Sequence, residues 1–232
     1  MGLKILLVGA RGLVGQGALK IAQHSPLVDH LGLLLRHPIP ALDPQVQVWT
    51  LPQFSPDALA GLDLSGFDAC WYCAGTLPLG QTEAQYKAVT VDITLQVAQA
   101  FAAANPGARF LYISGWGAHA KSRLMPLRVK GWVEEALRAL PLAVCCLRPG
   151  VVIPAQGARS MYPFRRVAYQ LAGPILSVAA VLLKSQFTTT TALAQALLHL
   201  SDPDQVLPPV LENRAINDCG KINPSHPLGD PQ

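Results

Sequence analysis

A chain of 232 residues is long enough for one domain with a sizeable core, and 50% hydrophobic against 14% charged residues marks a globular protein with a thinly charged surface. A net charge of +4 without any lysine- or arginine-dense run argues against nucleic acid as a partner. The N-terminal "MGLKILLVGARG" leads into glycines where a signal peptide would have a cleavage site, and the longest apolar run, Leu171 to Leu183, is shorter than the ~18 residues of a membrane span and contains Pro174. No transmembrane span is therefore expected, and five cysteines without a secretory signal favour reduced thiols in a cytoplasmic setting.

In chain order, "LKILLVGA" (3–10) is nearly continuous in apolar residues, as a central parallel strand covered on both faces requires. "LVGQGALKIAQHS" (13–25) follows as a helix, "HLGLLLR" (30–36) and "VQVWTL" (46–51) as strands, and "FDACWYCAG" (67–75) as a strand ending in small residues. A long helix is predicted over 82–105, closed by Pro106 and Gly107, then a strand over 108–115. The helix "LRVKGWVEEALRAL" (127–140) aligns Trp132, Val133, Ala136, Leu137 and Leu140 at 3.6-residue spacing, and "LAVCCLRPGVV" (142–152) is a sixth strand. Beyond about Ile153 the rhythm changes to helical patterns over 162–183 and 188–200 and a short apolar piece at 205–213. Thr188 to Thr191 read as a helix start with hydroxyl caps.

Strands alternating with helices predict an α/β fold, a Rossmann-like doubly wound parallel sheet with a small C-terminal helical lobe. The expected organisation is a single domain, 1–232, with a nucleotide-binding core at 1–152. A substrate or partner lobe at 153–216 would overhang the carboxyl edge of the sheet, and 217–232 would form an irregular tail.

Immediately after the first strand, "VGARGLVGQ" places Gly9, Gly12 and Gly15 around Ala10, Arg11, Leu13 and Val14, at the opening of a helix. Glycines there let the backbone turn and approach a pyrophosphate, while the helix offers free N–H groups and its positive dipole end. An acid at the end of the second strand would bind the ribose of NAD, but this chain has Arg36. Arg36 and Arg11 suit a 2′-phosphate, favouring NADP(H) over NAD(H), unless Arg36 is only a solvated strand end. Ala74, Gly75 and Thr76, after the fourth strand, leave room for a nucleotide. Cys70 and Cys73 have C-x-x-C spacing, but residues three apart on a strand face opposite ways, so buried thiols are expected there and at Cys145 and Cys146, and no metal site.

The succession "GARGLVG", "CAGT", "VTVD", "YISGWGA", "RVKGWVEEAL", "LRPGVV" resembles the atypical short-chain dehydrogenase/reductases, in particular the NmrA-like and Tat-interacting-protein-like branch, from Leu3 to about Val152. That resemblance implies an NADP(H)-linked oxidoreductase. A serine after the fifth strand and a Tyr-x-x-x-Lys pair would carry the chemistry, the tyrosine passing the proton and the lysine holding the ribose and lowering the tyrosine pKa. Ser114 matches the serine, with Gly115 in the family's next serine position, and Lys130 matches the lysine, but Pro126 occupies the tyrosine's place. A proline ring can neither donate nor accept a proton. His119 and Ser122, or Tyr162 and Tyr169 from the lobe, are candidate substitutes, and Pro149, Gly150 and Val151 match the segment that meets the nicotinamide. Lys130 is then a ribose and phosphate contact, or alternatively a helix-surface lysine. Two functions stay open: an oxidoreductase acting on an unidentified small molecule through a substitute acid, and a non-catalytic NADPH-sensing regulator or adaptor, or scaffold, bound to a protein partner.

Overall fold

The computed structural model describes residues 2–39, 42–43, 46–155 and 186–221. In chain order these form β1 (Leu3–Val8), α1 (Leu13–His24), β2 (Val28–Leu35), β3 (Gln47–Thr50), α2 (Pro56–Ala60), β4 (Ala69–Tyr72), α3 (Glu83–Lys87), a π-helical segment (Ala88–Asp92), α4 (Ile93–Ala104), β5 (Arg109–Ile113), α5 (Met125–Arg138), β6 (Ala143–Arg148), β7 (Val151–Ile153), β8 (Phe187–Thr189), α6 (Thr190–Ser201), β9 (Val210–Glu212) and α7 (Asn213–Cys219).

Seven strands pair in parallel in the order β3-β2-β1-β4-β5-β6-β9, and β7 and β8 make a separate parallel pair. The chain steps outward from β1 through β2 to β3, then returns to the other side of β1 as β4. The switch point between β1 and β4 opens a crevice at the carboxyl ends of the strands, where doubly wound sheets take their ligands.

Strand alternation sorts the core into two layers. Ile5, Leu7, Leu33, Trp71, Leu111, Cys145 and Leu147 face α1, α6 and α7, whereas Leu6, Val8, Leu34, Cys70, Tyr72, Phe110, Tyr112 and Cys146 face α4, α5 and the packing around α2. Cys70 and Cys73 thus fall on opposite sides, as do Cys145 and Cys146, and all five cysteines are free. Burial raises the pKa of Cys73, Cys145 and Cys146 to about 12, which keeps these thiols protonated and inert.

The helix at 188–200 and the apolar piece at 205–213, expected in a lobe over the carboxyl edge, lie elsewhere. Helix α6 packs against α1, with Leu193, Ala194, Ala196 and Leu197 buried against the sheet, and β9 extends the sheet beyond β6. The indole Nε1 of Trp71 donates to Ser201 Oγ at 2.7 Å, and Arg109 donates to the carbonyls of Leu200, Pro203 and Gln205, so α6 and the turn after it are tied to β4 and β5. Three residues of strand after Pro208 and Pro209 are too few to display a period, which is why β9 reads as a loose apolar piece. Thr189 does cap α6, its hydroxyl accepting from Ala192 N–H at 3.0 Å. The helical pattern expected over 162–183 lies outside the described residues.

The long helix predicted over 82–105 is α3, the π-helical segment and α4 in succession, opened by a capping box of Thr82 and Gln85. Helix α5 starts at Met125, with Pro126 in the first turn, where a missing N–H costs nothing. It buries Val129, Gly131, Val133, Glu134 and Leu137, a face rotated from the predicted one so that a glutamate points inward. Ser201→Ala leaves the buried Trp71 N–H without its acceptor and is expected to lower unfolding stability by about 1–3 kcal/mol, read from urea midpoints.

Candidate functional site

The glycine loop closes on itself by contact. Gly9 has φ +87°, and a Cβ on Gly15 would stand 2.0 Å from the Gly9 carbonyl oxygen, so no side chain fits at either position. The loop delivers Gly12 as the N-cap of α1, without a side-chain cap among the described residues. A helix start of this kind is a natural seat for a phosphate anion.

Two adjoining cavities share Gly12, Cys73, Ala74 and Gly75. One, of about 250 Å³, is lined further by Gly9, Arg11, Leu34, Leu35, Arg36, His37 and Phe54. The other, of about 200 Å³, is lined by Leu13, Val14, Thr76, Leu77, Tyr86, Thr90, Tyr112, Ile113, Lys130 and Val152. The first has the guanidiniums and an aromatic ring, the second an amine, hydroxyls and an apolar wall. Together they make a cleft running across the switch point, with the helix start at its middle.

Of the residues expected at the cofactor, Gly9, Arg11, Gly12, Leu13, Val14, Arg36, Ala74, Gly75, Thr76 and Lys130 line this cleft, while Ala10 and Gly15 are buried in the turn beneath it. Pro149, Gly150 and Val151 do not line it. The Pro149 carbonyl accepts from Trp116 N–H, Gly150 N–H donates to Asn213 Oδ1, Val151 is exposed, and Val152 is the residue of that segment that reaches the cavity.

Ser114 is turned away from the cleft. Its hydroxyl donates to Glu134 Oε1 at 2.6 Å, and Glu134 is 1% exposed. Arg148 donates to both oxygens of the same carboxylate, at 3.0 and 2.6 Å, and Arg138 adds a contact at 3.3 Å. This buried charge is paired and fully hydrogen-bonded, which is the condition for keeping it ionised inside a protein. Its partner Arg148 has a pKa pushed above the ordinary arginine range, mainly by that hydrogen bond.

Lys130, one turn before Glu134, donates to the Ser114 carbonyl at 2.5 Å. The side chain passes over Gly115, where a Cβ would make only an ordinary contact with it. Desolvation lowers the Lys130 pKa to about 8, against the opposing pull of Glu134. His119 is exposed in the β5–α5 loop, where its Nδ1 accepts from Lys121 N–H, and Ser122 Oγ accepts from Leu124 N–H; neither lines the cleft. Tyr162 and Tyr169 lie outside the described residues.

Residues the sequence did not single out also stand here. His37 and Phe54 line the arginine-bearing end, and Tyr86, Thr90 and Tyr112 the lysine-bearing end. Glu134 lies outside the apolar face predicted for this helix and reads there as a solvated position. Leu79, on the loop after β4, and Trp116 and Leu124, on the loop after β5, are large exposed apolar side chains at the same edge of the sheet. Among the described residues, no helix is long and apolar enough to cross a membrane.

No family model matches the chain. It is 34% identical over 152 residues to the "Protein FMP52, mitochondrial" of Eremothecium gossypii, covering 64% of this chain and 66% of that one. It is 26% identical over 176 residues to the "Leucinostatins biosynthesis cluster protein T" of Purpureocillium lilacinum, with 64% of each covered. The matches thus span just under two thirds of the length of these relatives. Among solved structures, the chain resembles a UDP-glucuronic acid 4-epimerase from Bacillus cereus in complex with NAD (TM-score 0.64, 16% identity, 90% of this chain and 76% of that one). It also resembles a short chain dehydrogenase family protein from Francisella tularensis (TM-score 0.55, 11% identity, 75% and 77%). These likenesses show the fold alone, a Rossmann-like α/β fold.

Two outcomes follow from this geometry. Glu134→Gln removes the charge that balances Arg148 and is expected to cost about 3–5 kcal/mol of stability in chemical denaturation. The unfolded chain holds the Lys130 proton up to the ordinary lysine range, so from about pH 8 upward it binds more protons than the folded one. Stability of the wild type relative to Lys130→Met should therefore rise with pH above about 8 and be flat below it, as read from urea midpoints at successive pH values.

Proposed function

We propose that the protein is an NADP(H)-dependent oxidoreductase of the atypical short-chain dehydrogenase/reductase kind, with the proline at 126 marking a rebuilt proton-transfer site. The observation that carries this reading is the continuous cleft over the glycine loop, bearing Arg11 and Arg36 at one end and Lys130 at the other. A dinucleotide suits it in extent and in chemistry. The start of α1 is available to the pyrophosphate, Arg11 and Arg36 to a 2′-phosphate, Phe54 to the adenine face, and Lys130 to the nicotinamide ribose. Bound there, the reduced nicotinamide would supply hydride.

The chain's own residues set the terms of that chemistry. With Ser114 committed to Glu134, and no hydroxyl at Pro126, two of the three usual groups are withdrawn from the substrate, and classical reductase turnover is expected to be weak. Lys130, held by the Ser114 carbonyl, keeps a binding role, and the Glu134–Arg148 pair fixes the helix that carries it. A reducing compartment such as the cytoplasm suits the five free cysteines.

One observation favours a second reading, a non-catalytic NADPH-responsive adaptor: the exposed Leu79, Trp116 and Leu124 beside the cleft mouth would suit a protein partner. NADPH and NADH titrations followed by nicotinamide fluorescence test the cofactor assignment. Micromolar NADPH binding with weaker NADH binding is expected, and Arg36→Ala should weaken NADPH about 10-fold while leaving NADH within about twofold. Equal binding of both, unaffected by Arg36→Ala, contradicts the phosphate reading.

A further inference from the structure

The cleft has lost the phenol that α5 would supply, yet it contains another. Tyr86, at the end of α3, is 1% exposed and lines the same cavity as Lys130. One turn on, Thr90 lines it too and is 5% exposed. Its Oγ1 is the one buried side-chain oxygen among the described residues without a hydrogen-bond partner. Burial raises the pKa of the Tyr86 phenol, and the neighbouring Thr90 hydroxyl acts in the opposite direction.

The backbone explains why this oxygen is left over. Ala88 to Asp92 form a π-helical segment between α3 and α4, a rare conformation that occurs frequently at functional sites. Thr94 Oγ1 donates to the Thr90 carbonyl at 2.7 Å, so the backbone of that turn is satisfied while the Thr90 hydroxyl is not. A buried hydroxyl without a partner is unfavourable unless a ligand provides one. Tyr86 and Thr90 both line this cavity, and their hydroxyls would suit a neutral acceptor oxygen. Leu77, Ile113 and Val152 around them suit an apolar body.

We propose that Tyr86 is the catalytic acid of this cleft, donating its proton to the oxygen of a small apolar ketone or aldehyde, with Thr90 donating a second hydrogen bond to the same oxygen. This rests on the dinucleotide reading above. In the reduction, the carbonyl carbon gains a hydride with its electron pair from the reduced dinucleotide, the C=O π pair moves to oxygen, and the Tyr86 O–H bond breaks to protonate that oxygen. The resulting phenolate recovers its proton from water. Burial raises the Tyr86 pKa, which keeps the phenol protonated through neutral pH.

The test uses the NADPH complex of the full chain with acetophenone as probe. Ketone binding is read from quenching of bound nicotinamide fluorescence, and turnover from loss of nicotinamide absorbance. Tyr86→Phe is expected to cut turnover about 100-fold and to weaken acetophenone about fivefold, with NADPH affinity changed by less than about twofold. Thr90→Val, an isosteric change that keeps the helix, should weaken acetophenone by a similar factor. Acetophenone binding and turnover retained in Tyr86→Phe overturn the proposal, as does a wild-type NADPH complex that does not bind the ketone. Failure of the wild type to bind NADPH at all is a different result and overturns the underlying dinucleotide reading along with it.

Discussion

Three donors converge on the carboxylate of Glu134, buried between α5 and the ends of β5 and β6: the Ser114 hydroxyl, the Arg148 guanidinium and Arg138. An ionised group in that position is tolerated only when its partners come with it, so the charge fixes the distance between α5 and the sheet. From this follow the seat of Lys130 one turn earlier, its contact with the Ser114 carbonyl, and the diversion of Ser114 from the cleft. The same interaction that anchors the lysine thus removes the serine. Pro126 leaves the start of α5 without a hydroxyl, and Ser114, the nearest hydroxyl on β5's end, is held by Glu134 of the same helix.

The other half of the cleft depends on shape. Gly9 and Gly15 let the turn after β1 fold against itself, and Ala74 and Gly75 after β4 keep the opposite wall low. Between these walls the N-terminus of α1 remains open. The electrostatics divides along the cleft, with two guanidiniums at the β2 end and a partly desolvated amine at the β5 end. A ligand with negative charge concentrated at one end and in the middle, and a neutral ring at the other, matches that division.

Much of this was legible in the sequence because it is encoded locally. The apolar run of β1 followed by Gly9, Gly12 and Gly15 defines a strand, turn and helix start within a few residues. The opposite facing of Cys70 and Cys73 follows from the period of a strand. What escaped depends on contacts between distant segments. Thr90 reads as an ordinary helical threonine, and only a π-helical turn, invisible in a hydrophobic pattern, leaves its hydroxyl unpaired beside Tyr86. Glu134 reads as a solvated position on α5 until Arg148, at the end of β6, is seen to meet it. His119 is a candidate by its chemistry alone, and its loop holds it in solvent. Strand β9 was missed because its pairing with β6 comes from across the sheet, and nothing in three residues announces it.

A crystal structure of the protein with NADPH tests the account most directly. It should place the 2′-phosphate between Arg11 and Arg36, the pyrophosphate at the start of α1, and the nicotinamide ribose at Lys130, with the nicotinamide ring on the side of Tyr86 and Thr90. A nucleotide bound elsewhere on the molecule, or one lying in the cleft with its nicotinamide turned away from Lys130, would contradict it.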